Sequence, residues 1–171
     1  AVATGFALAV TLPRAGNVGG GGYMVVHMAA QGGKPAETIA IDYYGQAPAA
    51  TTPDLLLDDK GKFDSAKGMS MKGVSIPGTV MGLWEAHRRY GRLKWSKLVA
   101  PAIDLARKGV SLSDDEAEAH ADQKKLMSDD AAAMAIFFRR DGTPWQPGDT
   151  FRQTDLAWTL TQIARKGPDG F

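Results

Sequence analysis

The sequence predicts a mixed α/β (α+β) fold, an N-terminal β-hairpin followed by a mostly helical remainder. Three observations carry that expectation. The β-branched, apolar runs Tyr23–Met28 and Thr38–Tyr44 flank the turn Gln31-Gly32-Gly33-Lys34-Pro35, and strands joined so briefly pair antiparallel, because a parallel pair needs a long crossover. From Gly78 onward, apolar residues recur at helical spacing between recognisable starts and stops. The 171 residues are 44% hydrophobic and 23% charged, the balance of a folded chain and the size of one ordinary domain.

Residues 1–11 read as an Ala-rich helix, apolar on most sides and therefore buried, which Pro13 ends. Gly16 to Gly22, with four consecutive glycines at Gly19, Gly20, Gly21 and Gly22, form a flexible loop. Tyr23–Met28 has the pattern of a buried strand, and Ala47-Pro48 breaks the second strand. Pro53 to Asp59 makes a short helical turn, and Lys60 to Gly73 a polar, exposed excursion. Helices follow over Gly78–Tyr90 and Trp95–Lys108, the second stopped by Gly109 just after two cations. Ser113-Asp114-Asp115-Glu116 is a capping box opening a more polar helix. Asp141-Gly142-Thr143-Pro144 is a turn, and Thr154 caps a last helix that Gly167-Pro168 stops.

Charge excludes several classes. Twenty basic against nineteen acidic side chains leave +1, which gives no footprint for nucleic acid and no polybasic cluster for anionic lipid. The absence of cysteine removes disulfides, thiolate zinc, iron–sulfur clusters and cysteine nucleophiles. No apolar run approaches the roughly 20 residues of a membrane span. Both ends read as cut: the chain opens inside a helical pattern and stops directly after one, so a piece of a longer protein is expected.

No complete catalytic set emerges from the residues. A phosphate-binding Walker loop needs Gly-Lys-Ser/Thr where Tyr23 stands, and the dinucleotide fingerprint needs a strand before the loop and a helix after it. Close backbone packing is the better account of Gly19 to Gly22. His27, His87 and His120 lie on different elements without metal-ligand spacing, so no metal is expected. The pairs Asp58-Asp59, Asp114-Asp115 and Asp129-Asp130 fit caps and turns. Ser75 misses the Gly-x-Ser-x-Gly elbow, because Pro77 takes the last position. The four tryptophans read as buried or half-buried anchors.

Motifs in sequence order do carry a resemblance. Leu12-Pro13-Arg14-Ala15-Gly16-Asn17-Val18 with the four glycines and Tyr23, then Ile41-Asp42 with Ala47-Pro48-Ala49, then Gly73-Val74-Ser75-Ile76-Pro77-Gly78-Thr79-Val80, resemble the γ-glutamyltransferase (glutathione hydrolase) family. Tyr90-Gly91, Pro101-Ala102-Ile103, Lys108-Gly109, Gly148-Asp149-Thr150 and Gly167-Pro168 continue the series, so the resemblance spans the chain. It implies a fragment of an N-terminal nucleophile hydrolase with an αββα sandwich, made as a zymogen that cuts itself into two subunits. The nucleophile is a Thr at the new N-terminus of the small subunit, its own α-amino group serving as base. Residues 1–171 would be a partial large-subunit domain with no catalytic residue, no cofactor and no activity alone. Its partners would be the remainder of the precursor and a small-molecule amide substrate, in the periplasm or outside the cell.

One position departs from the family. Ungapped alignment on Ile41-Asp42 and Ala47-Pro48 puts Tyr44 where γ-glutamyl enzymes carry the Arg that grips the substrate α-carboxylate. Tyr can donate one hydrogen bond but not a bidentate charged fork. Arg14 could substitute if its loop folds inward; alternatively, Tyr44 packs beneath the site. The leading expectation is an amidase drifted from γ-glutamyl substrates, towards cephalosporin-type side chains or other small amides. An authentic glutathione hydrolase, a non-catalytic binding fragment and a nucleotide-binding glycine loop are the alternatives.

Overall fold

A computed structural model describes residues 1–171, which divide into two compact units. One joins Ala1–Asn17 to Leu83–Phe171, and the other is Val18–Gly82. The elements run α1 (Val2–Thr11), β1 (Tyr23–Met28), β2 (Glu37–Asp42), α2 (Ser65–Gly68), α3 (Thr79–Tyr90) and α4 (Trp95–Lys108), all but α2 at expected places. There follow β3 (Val110–Ser111), α5 (Asp114–Asp122), α6 (Lys124–Met127), α7 (Ala131–Phe137), β4 (Thr150–Phe151) and α8 (Thr154–Lys166).

In the first unit α4 packs against both α1 and α8. Phe6 and Val10 from α1, Val99, Ala102 and Ala106 from α4, and Leu160 and Ile163 from α8 are shut off from water. Trp95 opens α4 at the junction. Its ring stands edge-on to Phe6 at 5.3 Å and to Trp84 at 5.0 Å, and its indole N–H donates to the Ile163 carbonyl at 2.8 Å. That bond satisfies the polar tip of a buried ring, so aromatic bulk is gained without a stranded donor. Gly109, at φ +93°, ends α4 in a conformation disfavoured for other residues, and β3 leaves it to pair antiparallel with β4. This two-residue ribbon is too short to register as strand in the sequence.

Capping falls largely where expected. Ser113 Oγ accepts from Glu116 N–H at 3.2 Å, and Asp130 caps α7 through the N–H groups of Ala132 and Ala133. Only half of the capping box forms, because the Glu116 carboxylate is buried against Arg14, 2.7 Å away. Thr154 is not a cap. Gln153 holds that position without a side-chain bond to the helix, and its amide instead donates to the Val10 carbonyl at 2.8 Å. Trp158 is 66% exposed rather than an anchor, standing on the outer face of α8. Pro53–Leu56 forms a turn, not helix, while the excursion beyond Lys60 contains α2, capped by Asp64.

The second unit is built on the hairpin. β1 and β2 pair antiparallel from Tyr23↔Asp42 to Met28↔Glu37. The hairpin is less buried than a strand so apolar implies: Val25 is 73% exposed, because one face of the two-stranded sheet has nothing on it in this chain. The ladder runs on past β2 through paired Gly22 and Tyr43 backbones, at 3.0 and 3.3 Å. The glycine loop is then tied to the start of α3, the Gly20 carbonyl accepting from Gly78 N–H at 2.7 Å and Thr79 N–H at 3.1 Å. Tyr43 is the residue these segments close around. A Cβ on Gly78 would collide with its carbonyl oxygen, and one on Gly82 with its ring.

Substituting Gly82→Ala is expected to destabilise the fold by roughly 1–3 kcal/mol, the ordinary cost of overpacking. Truncating Tyr43 does not relieve it, since the Tyr43 Cβ itself would lie 2.5 Å from the new methyl; denaturant midpoints of the single and double variants check this. His120 supplies a pH dependence. It is buried between the Phe137 and Phe151 rings at 5.2 and 5.0 Å, neither ring nitrogen has a partner, and burial lowers its pKa from 6.5. The unfolded chain therefore binds a proton more readily than the folded one, so stability falls as pH drops below about 6.5 and levels off above it. Thermal midpoints against pH should show this slope, and His120→Phe should flatten it.

Candidate functional site

The site lies where β2 ends. Asp42 is the last residue of β2, and its carboxylate accepts the Tyr44 N–H at 3.0 Å, turning the backbone just past the strand. Successive side chains alternate faces, so Asp42 and Tyr44 share one face and Tyr43 takes the other. With Tyr43 held among glycines, Tyr44 is carried outward and is 63% exposed. Its ring stacks on Tyr23, centroids 5.7 Å apart and planes 16° from parallel, and Tyr23 is 70% exposed.

Beyond Tyr44 the chain is clamped to the Gly73–Gly78 segment. Gln46 and Ile76 exchange backbone hydrogen bonds at 3.0 and 2.7 Å, and a Cβ on Gly45 would strike Ser75. Ser75 thus belongs to a tight crossing of two backbones. In the glycine loop, Gly21 lies where a Cβ would come within 2.5 Å of Gly45 N and 2.6 Å of the Tyr43 carbonyl, whereas Gly19 faces open space.

The other candidates are placed elsewhere. Arg14 lies in the first unit, its Nε 2.7 Å from Glu116 Oε1 and its guanidinium 3.9 Å from Asp115. His27 shares a hydrogen bond with Thr38 Oγ1 at 2.7 Å, and His87 with the Leu93 carbonyl at 2.8 Å. Asp58 accepts from Lys60 and Lys62 N–H, an acid used to make a turn. Two further acids are held charged by their neighbours. The Arg88 and Arg89 guanidiniums bring half-buried Glu85 down to about 2, and the Gln146 N–H with Arg139 lowers Asp149. Neither lies near Tyr44 in sequence or in the same unit.

Sequence reasoning picked out Tyr44 and passed over Tyr23 and Tyr43. A signal for both existed: once Tyr23 is paired with Asp42, Tyr44 is its diagonal neighbour on the same face, within reach of an aromatic side chain.

Known proteins share the fold that carries these residues. A family model described as Gamma-glutamyltranspeptidase matches residues 1–171. The chain is 44% identical over 172 residues to the glutathione hydrolase proenzyme of Pseudomonas aeruginosa and 42% over 177 residues to that of Escherichia coli. Each alignment takes in 100% of this chain but 29% of the relative, so the chain spans less than a third of the curated relatives' length. Among solved structures, Helicobacter pylori gamma-glutamyltranspeptidase superposes with a TM-score of 0.91 at 38% identity, over 99% of this chain and 48% of that one. The Pseudomonas nitroreducens enzyme complexed with L-DON gives 0.84 at 42% identity, with the same coverage. A cephalosporin acylase from Bacillus halodurans, 22% identical with a TM-score of 0.81 over 100% of this chain and 32% of that one, shares the fold. With its whole length matched by the family model and its backbone superposing on two enzymes so titled, the chain belongs to the gamma-glutamyltranspeptidase family, as part of the N-terminal region.

Proposed function

We propose that the protein this chain comes from is an amide hydrolase or acyltransferase of this family whose acyl specificity has moved away from strictly γ-glutamyl groups. The observation that carries the reading is Tyr44, exposed and stacked on Tyr23 at the position aligned with the family's carboxylate-gripping Arg. A phenol there offers one neutral hydrogen bond in place of a charged fork. The Arg14 guanidinium, engaged by the buried Glu116, is a poor replacement.

The chemistry would be acyl transfer. The hydroxyl of a Thr on the small subunit attacks the amide carbonyl, the amine departs with a proton, and water or a second amine then takes the acyl group. This chain supplies no nucleophile, so alone it would be inactive, and its partner would be the rest of the precursor. Relatives more than three times its length support that part of the reading. An exported location, periplasmic or secreted, belongs to the same proposal, and rests on the resemblance to bacterial family members.

A second reading, an authentic glutathione hydrolase that holds the carboxylate by another route, is favoured by 40–44% identity to proteins of that name. Kinetics on the processed full-length protein separate the two. Under the first, γ-glutamyl-p-nitroanilide is a poor substrate, and Tyr44→Arg raises its kcat/KM about a hundredfold, mostly through KM. Turnover at an ordinary glutathione-hydrolase rate, with Tyr44→Arg making no difference, would sink the first reading and leave the second.

A further inference from the structure

Resting on that reading of Tyr44, we infer that Tyr23 is a second specificity residue, and that the Tyr23–Tyr44 stack receives an uncharged acyl group bearing an aromatic ring. Both rings are about two-thirds exposed although they touch each other, so their outer faces and edges are open apolar surface. Their centroids are 5.7 Å apart, too close for a third ring between them, which would need roughly 7 Å. A ligand ring therefore lies against the outside of the pair, in the offset or edge-on arrangements that aromatic groups prefer.

The surroundings select against charge. Asp42 stands opposite Tyr23 in the ladder with its carboxylate turned to the Tyr44 N–H. None of the ladder residues on this face is Lys or Arg, so an acyl chain carrying its own carboxylate gains no fixed cation there. Along the same face from Tyr23 come Val25 and Ala40, paired across the hairpin and both exposed, which extend the apolar surface. Tyr43, fixed among glycines, keeps Tyr44 in register with Tyr23 without joining the surface itself.

The test is a substrate panel on the processed full-length protein: phenylacetyl-, acetyl- and γ-glutamyl-p-nitroanilide. We expect phenylacetyl to be preferred over acetyl, and Tyr23→Ala to lower its kcat/KM on the order of threefold to tenfold through KM, with a smaller fall for acetyl. Tyr23→Phe should keep the preference. Tyr23→Leu, which retains bulk without a ring, should lose it, and gives the same readout if the Ala variant does not mature. A phenylacetyl-to-acetyl ratio unmoved by Tyr23→Ala and Tyr23→Leu, or an equal fall on all three substrates, overturns the role of Tyr23 while the neutral-acyl reading stands. A wild-type preference for γ-glutamyl overturns both.

Discussion

Tyr43 sits where the glycine loop, the end of β2 and the start of α3 come together, with its carbonyl against Gly78 and its ring against Gly82. These approaches leave no room for a Cβ, so backbone lies on backbone, and the hydrogen bonds from Gly78 and Thr79 to the Gly20 carbonyl become possible at 2.7 and 3.1 Å. The glycine loop is thereby a structural part, its Gly20 carbonyl bonded to the start of α3 and its Gly22 paired with Tyr43. Alternation along the strand does the rest: with one tyrosine seated inward, the next must face out. The exposure of Tyr44 is thus a consequence of packing on the opposite side of the same backbone.

The helical unit depends on a simpler arrangement. α4 contributes small residues, Val99, Ala102 and Ala106, where it meets its neighbours, and larger ones come from Phe6 on α1 and Leu160 and Ile163 on α8. Trp95 joins the cluster at one end through its bond to Ile163. Removing so large a buried ring would cost about 3–5 kcal/mol, a considerable share of a typical domain's stability. His120 is the one member of this unit that is buried without a polar partner, and burial lowers its pKa because a charged imidazole would be poorly solvated there.

Much of this was legible in the chain itself. The hairpin, its antiparallel sense and five helices follow from patterns that are local: β-branched runs around Gly32-Gly33, apolar spacing closed by Gly109 and Gly167, and the Ser113 cap. The family is readable because its motifs are backbone motifs, glycines and prolines whose positions are set by close approach. What was not legible is non-local. Nothing near Val110 or Phe151 announces that two residues of each will pair, and Thr154 looks like a cap until Gln153 reaches across to Val10. Glu116 likewise satisfies the capping-box pattern, yet a distant guanidinium outcompetes the Ser113 N–H for its carboxylate. At the site, Tyr44 was found by alignment, while the ring beside it needed the register of the ladder.

The helical unit is not contiguous in sequence: Ala1–Asn17 must wait for Leu83–Phe171, while Val18–Gly82 lies between them. On a ribosome making about 5–20 residues per second, α1 emerges on the order of five to twenty seconds before the whole of α4 exists to cover Phe6 and Val10. During that interval an apolar helix has no partner of its own, although the intervening unit already has its whole sequence. The nascent chain therefore passes through a stage at which α1 is less protected than the segment that follows it, and a holding chaperone acting during synthesis would find a target in α1.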